Sequence, residues 1–175
     1  MSDAPLGLER GVVRLVAYDP RWPTLFSEES VRLHPLLPQG VTLEHVGSTA
    51  VPGLAAKPVL DILAGYESAA ALPACIGALV AAGYLHRGEQ GIPGREFFRR
   101  GEPRAYHLHL ALRGGSFWHE HLAFRDALRA DAGVRDAYAR LKQDLSARYP
   151  HDREAYIEAK GPFVRDVLRR VGSST

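Results

Sequence analysis

HVGSTAVPGLAAKPVLDI, residues 45–62, is the stretch on which the reading of the whole chain turns. Residues 41–46 and 58–64 read as strands, the second almost wholly apolar, and the small, turn-rich TAVPGLAAK at 49–57 lies between them. The first strand thus delivers Gly47-Ser48, where glycine lets the backbone approach a ligand and the following amides can face an anion. The second delivers Asp61, its one acid in an otherwise apolar run. An unpaired charge in a strand covered on both faces is costly, so Asp61 demands a role. A carboxylate holding a cation, opposite a turn holding a polyphosphate, suits phosphoryl transfer, which needs positioning and charge neutralisation above all.

Upstream, residues 12–18, VVRLVAY, read as a strand. Asp19-Pro20 then opens a helix over 20–37, with Trp22, Phe26, Leu33 and Leu37 near helical spacing. Downstream come an alanine-rich helix over 67–82 closed by Gly83, a loop at 88–94, and strands over 95–100 and 106–112. Three helical segments finish the chain, and Gly161-Pro162 is expected to break or kink the last. The order βαββαββααα predicts an α/β (α+β) domain over 1–175, a mixed β-sheet with a helical C-terminal cap, flexible at 1–10 and 172–175.

A length of 175 residues suits one domain, and 46% hydrophobic with 24% charged residues is ordinary globular composition. No apolar run approaches the roughly 20 residues of a membrane span, and the N-terminus has no signal-peptide pattern. The lone Cys75 can form no internal disulfide. The expected setting is cytoplasmic, with no membrane partner. A net charge of +2, without a basic stripe interleaved with aromatics, gives no reason to expect nucleic acid as a partner.

Further candidates surround the central pair. Arg95, Arg99, Arg100 and Arg104 form a cluster fit for a phosphate, and Lys57 and Thr49 flank the same turn. His107 and His109 share one strand face and with Asp61 would make a two-histidine, one-carboxylate metal set. The other readings of the pair are core residues or neutral substrate contacts. His45, just before the turn, is a further pocket candidate.

The sequence resembles the GrpB family of polymerase-β-like nucleotidyltransferase-fold proteins over nearly its whole length. The matching pieces are YDPRW at 18–22, EHVGSTAVPGLAAKPVLDI at 44–62, GREFFRRG at 94–101, HLHL at 107–110 and FRDALR at 124–129. The resemblance implies the minimal nucleotidyltransferase fold and activity on a nucleoside triphosphate, and relatives occur fused to dephospho-CoA kinases. Active members of the wider superfamily carry a second carboxylate two residues after the first, on the same strand face. Here that position is Leu63. The expected function is transfer of a nucleoside monophosphate from a triphosphate to an unknown small-molecule or protein acceptor, with Mg²⁺ or Mn²⁺. Two alternatives stay open: a nucleotide- or ligand-binding module without turnover, and an Asp/His metal-dependent enzyme.

Overall fold

The computed structural model describes residues 5–172. Five strands form one sheet: β1 Thr42–Val46, β2 Leu60–Tyr66, β3 Leu85–His86, β4 Glu96–Arg100 and β5 Tyr106–Leu112, in the order β1-β2-β5-β4-β3. Only the central pair β2 and β5 is parallel; the other three pairings are antiparallel. The expected mixed sheet with a helical C-terminal cap is the architecture found. Five helices accompany it: α1 Trp22–Leu33, α2 Leu72–Ala81, α3 Ser116–Ala130, α4 Ala132–Arg148 and α5 Arg153–Gly172.

β2 is covered on both faces, which is why it reads as a continuous apolar run. Ile62 and Ala64 face α1 and α2, in a cluster with Leu33, Cys75, Leu79, Phe98 and Leu108. Leu63 faces the other way, packed with Val46, Ala111 and Trp118 of α3. Gly65 lets that helix come close: a Cβ there would stand 2.6 Å from Trp118 Cζ3. α4 and α5 close over the same side, where Tyr138 stacks on Phe163 at 5.3 Å and packs with Val51, Leu54 and Leu128.

Three sequence expectations need correction. Residues 12–18 do not form a strand; Val16 makes a single bridge to Ala56, because no neighbouring strand edge is offered to the rest. The first helix is shorter than expected, with Pro23 rather than Pro20 in its first turn; Asp19 accepts from the Arg21 amide at 2.9 Å just ahead of it. Pro162 does not break α5, which runs on to Gly172. A proline inside a helix costs on the order of 3 kcal/mol, and burial of Tyr156 and Val167 on either side of it, with Phe163 on Tyr138, offsets that cost. The short β3 is missing from the sequence reading. Of the termini expected to be flexible, residues 1–4 and 173–175 lie outside the described residues, while Leu8 is buried and its amide bonds to Arg104 O at 3.0 Å.

One buried ion ties the α1 side together. Glu29, 4% exposed, accepts from Tyr84 Oη at 2.8 Å, Arg100 Nη2 at 2.7 Å and Arg32 Nη2 at 2.6 Å. Glu29→Ala leaves Arg100 without its counter-charge. Because both arginines are partly solvated, the expected loss is about 2 kcal/mol rather than the 3–5 of a fully buried pair. Denaturant unfolding checks this; a variant as stable as the wild type would contradict it.

Candidate functional site

The chain brings its chemistry to one end of the sheet, where β1 finishes and the parallel strands β2 and β5 begin. Asp61 pairs with Val46 on one side and His107 on the other, so these side chains leave the same face. Gly47 follows Val46 directly, with φ +74°. A Cβ there would lie 2.7 Å from Asp61 Oδ2, so the turn requires glycine on two counts, conformation and space. The single helical turn Ser48–Ala50 follows.

Asp61 keeps 31% of its side chain exposed, at the floor of a cleft of about 510 Å³. Its Oδ1 faces His109 Nε2 at 3.3 Å and His107 Nδ1 at 3.5 Å. Burial, against the pull of Asp61, pushes both imidazoles below their ordinary value, so they are neutral at pH 7. Arg95 Nη1, which can only donate, lies 3.1 Å from His109 Nδ1. The neutral ring therefore carries its proton on Nε2 and donates it to Asp61. Burial alone would raise the Asp61 carboxyl, but the hydrogen bonds from His107 and His109 outweigh it and hold the group well below the usual range. Asp61 is an ionised carboxylate.

The same tautomer bears on the metal reading. A cation on His109 Nε2 needs that nitrogen's lone pair, which would move the proton to Nδ1 and against Arg95. Among the described residues no group of three or more His, Cys, Asp or Glu side chains is arranged to hold a metal ion. Asp61, completed by ligand oxygens and water, could hold a divalent cation such as Mg²⁺.

The cleft is dominated by positive charge. Lys142 of α4 is 2% exposed, donating to Ser48 Oγ at 2.9 Å and to Ala55 O. Lys57, Lys160, Arg95 and Arg153 line the same space. None of these five cations has a carboxylate partner among the described residues. Lys57 and Lys160 stand 5.4 Å and 4.5 Å from the Tyr156 ring. Burial, then repulsion from Lys160, pushes both Lys57 and Lys142 down to about 7. Cations held this way, beside one another and partly withdrawn from water, are poised for an anion.

The predicted residues divide. Gly47, Ser48, Thr49, Lys57, Asp61, Arg95, His107 and His109 all line the cleft. His45 does not: it pairs with Ile62 on the opposite face, stacks on Phe26 at 4.8 Å and holds Thr49 Oγ1 at 2.9 Å from Nε2. Burial pushes it down to about 4, so it is a neutral prop behind the turn. Arg99 lines a neighbouring cavity instead, and Arg100 turns to Glu29. Sequence reasoning missed Lys142, Arg153, Lys160 and His121. His121 points its Nδ1–H at Phe117 O, 2.8 Å away, which leaves Nε2 as an acceptor. The available signal was Lys142, four after Tyr138 and three before Leu145, in the buried stripe of its helix.

The family described as GrpB protein matches residues 12–170. The protein YqkA of Bacillus subtilis is 36% identical over 155 residues, 87% of this chain; the chain spans 45% of that relative's length. The glutamate-rich protein GrpB of Alkalihalophilus pseudofirmus is 34% identical over 173 residues, covering 95% of this chain and 99% of that one. The crystal structure of the conserved protein GrpB from Enterococcus faecalis is 31% identical with a TM-score of 0.81, over 90% of this chain and 96% of that one. A weaker likeness, 15% identical with a TM-score of 0.49 over 75% of this chain and 44% of that one, is to the Cid1 poly(U) polymerase.

Proposed function

This chain belongs to the GrpB family, and from that footing we propose that it holds a nucleoside triphosphate in the Asp61 cleft and transfers its nucleoside monophosphate to an acceptor. The observation that carries the reading is the ionised Asp61 facing five cations, none of them ion-paired among the described residues, in one cleft whose other acid is Glu154. A cleft of about 510 Å³ is within the ordinary range for small ligands. Lys142, Lys57 and Lys160 would bind the β- and γ-phosphoryl oxygens, with Arg153 and Arg95 at the flanks. Mg²⁺ or Mn²⁺, when bound, would neutralise phosphoryl charge beside Asp61. Gly47 keeps that approach open. His121 Nε2 is the free base in the cleft for the acceptor's proton.

A second reading, binding without turnover, has its own support. Leu63, where a second carboxylate would stand, is wholly buried against Trp118 and Val46 and contributes nothing to a two-metal clamp.

Titration of ATP, GTP, CTP and UTP, each with Mg²⁺, into the whole chain tests the shared premise. Binding is expected, and it weakens with rising pH. Lys57 and Lys142 attract phosphate when protonated, and each loses its proton as pH passes about 7. From pH 7 to 9 the affinity should fall by about tenfold or more. No binding of any of the four, or binding indifferent to pH over that range, would remove the premise.

A further inference from the structure

A second cavity of about 370 Å³ opens beside the first, with His107, Phe97 and Arg153 on the wall common to both. Its lining is a concentration of guanidinium: Arg10, Arg87, Arg99 and Arg104, with Arg153 at the boundary. Asp152 and Glu154 are its acids, and neither pairs with any of these arginines among the described residues. Asp152 Oδ1 instead accepts the Ala155 amide at the start of α5.

Arg104 is the telling member. It is 8% exposed, and its Nε and Nη2 have no hydrogen-bond partner. Buried donors are almost always satisfied, and a buried guanidinium has the strongest need of all. Arg153 Nε, on the shared wall, is unsatisfied too. A tetrahedral dianion offers several acceptor oxygens to converging planar forks, the geometry in which arginine excels.

We propose that this cavity is the acceptor pocket of the neighbouring cleft, and that the acceptor is a phosphomonoester whose phosphate is held by Arg104, Arg99 and Arg87. The proposal rests on the nucleotide reading of the Asp61 cleft. With the phosphate anchored there, a hydroxyl of the acceptor reaches past His107 toward the triphosphate. The hydroxyl oxygen forms the new bond to the α-phosphorus as the bond from that phosphorus to the bridging oxygen breaks. Pyrophosphate leaves with the electron pair, and the hydroxyl proton passes to His121 Nε2. The lysines all lie on the triphosphate side, with Arg95 and Arg153 at its flanks, while every cation lining the acceptor side is an arginine.

The test uses the whole chain with the Asp61 cleft saturated by a non-hydrolysable triphosphate analogue and Mg²⁺, titrated with glycerol 3-phosphate, glycerol and inorganic phosphate. Glycerol 3-phosphate and phosphate should both bind beside the analogue, and glycerol should not. Arg104→Met should weaken phosphate binding at least tenfold while the analogue's affinity stays within twofold. Arg87→Ala, on the exposed rim, should give a smaller loss in the same direction and guards against misfolding of the first variant. Phosphate that competes with the analogue would overturn the proposal, since the two cavities would then serve one triphosphate. So would phosphate binding unmoved by either variant. Arg104-dependent phosphate binding with no binding of the analogue would sink the nucleotide reading, and the acceptor role with it, leaving a bare phosphomonoester site.

Discussion

Asp61→Asn is expected to lower pyrophosphate release from a Mg²⁺-nucleoside triphosphate by about a thousandfold, some 4 kcal/mol of transition-state stabilisation. The substitution keeps the shape and one carbonyl oxygen, so His109 Nε2–H still has an acceptor and the end of β2 still packs. What goes is the carboxylate against which the Gly47 turn is built, facing the cationic wall across the cleft. With Leu63 buried two residues on, no neighbour on β2 can take over. The Mg²⁺-dependent part of triphosphate affinity should vanish along with turnover. A steady-state assay of pyrophosphate, with titrations with and without Mg²⁺, reads both. A variant that releases pyrophosphate at the wild-type rate would end the case for Asp61.

The second large effect belongs to Lys142→Met. Hydrogen bonds to a charged partner contribute about 1.5–3 kcal/mol, so triphosphate affinity should fall by about a hundredfold. Stability should not follow it down. A buried lysine with no counter-charge opposes folding, and replacing it by an apolar chain of similar length offsets the donors lost by Ser48 and Ala55. The pH dependence separates the two effects. The folded-state value of Lys142 is about 7, below its unfolded value. The unfolded chain therefore binds more protons between about pH 7 and 10.5, and wild-type stability rises with pH across that window. The methionine variant should rise less steeply. Strong destabilisation with unchanged triphosphate binding would make Lys142 a purely structural residue.

Much of this was legible in the chain. Asp61 stood out because an acid in a run covered on both faces has no bland explanation, and the strand over Tyr106–Leu112 has the bounds its alternation predicts. The three closing helices follow from their spacing of apolar residues. Where reading failed, the missing knowledge was of partners. Residues 12–18 have the composition of a strand and find only Ala56 to pair with. His45 and Asp61 are both site candidates in sequence; the register alone sends them to opposite sides of the sheet. Lys142 and Lys160 resemble any solvated helix lysine until α4 and α5 fold back across the cleft. Charge on a helix is ambiguous in sequence because the face it lies on depends on what the helix meets.

That fold-back has a consequence for the molecule as a whole. The like charges facing the cleft sit on both sides of a seam: Lys57 and Arg95 belong to the sheet and its loops, Lys142, Arg153 and Lys160 to the C-terminal third. The seam is pried at by its own electrostatics and held by greasy packing such as Tyr138 on Phe163. Any polyanion lodged between the two halves acts as a rivet. Occupancy and fastening of the last two helices then become one equilibrium, each favouring the other by the same free energy.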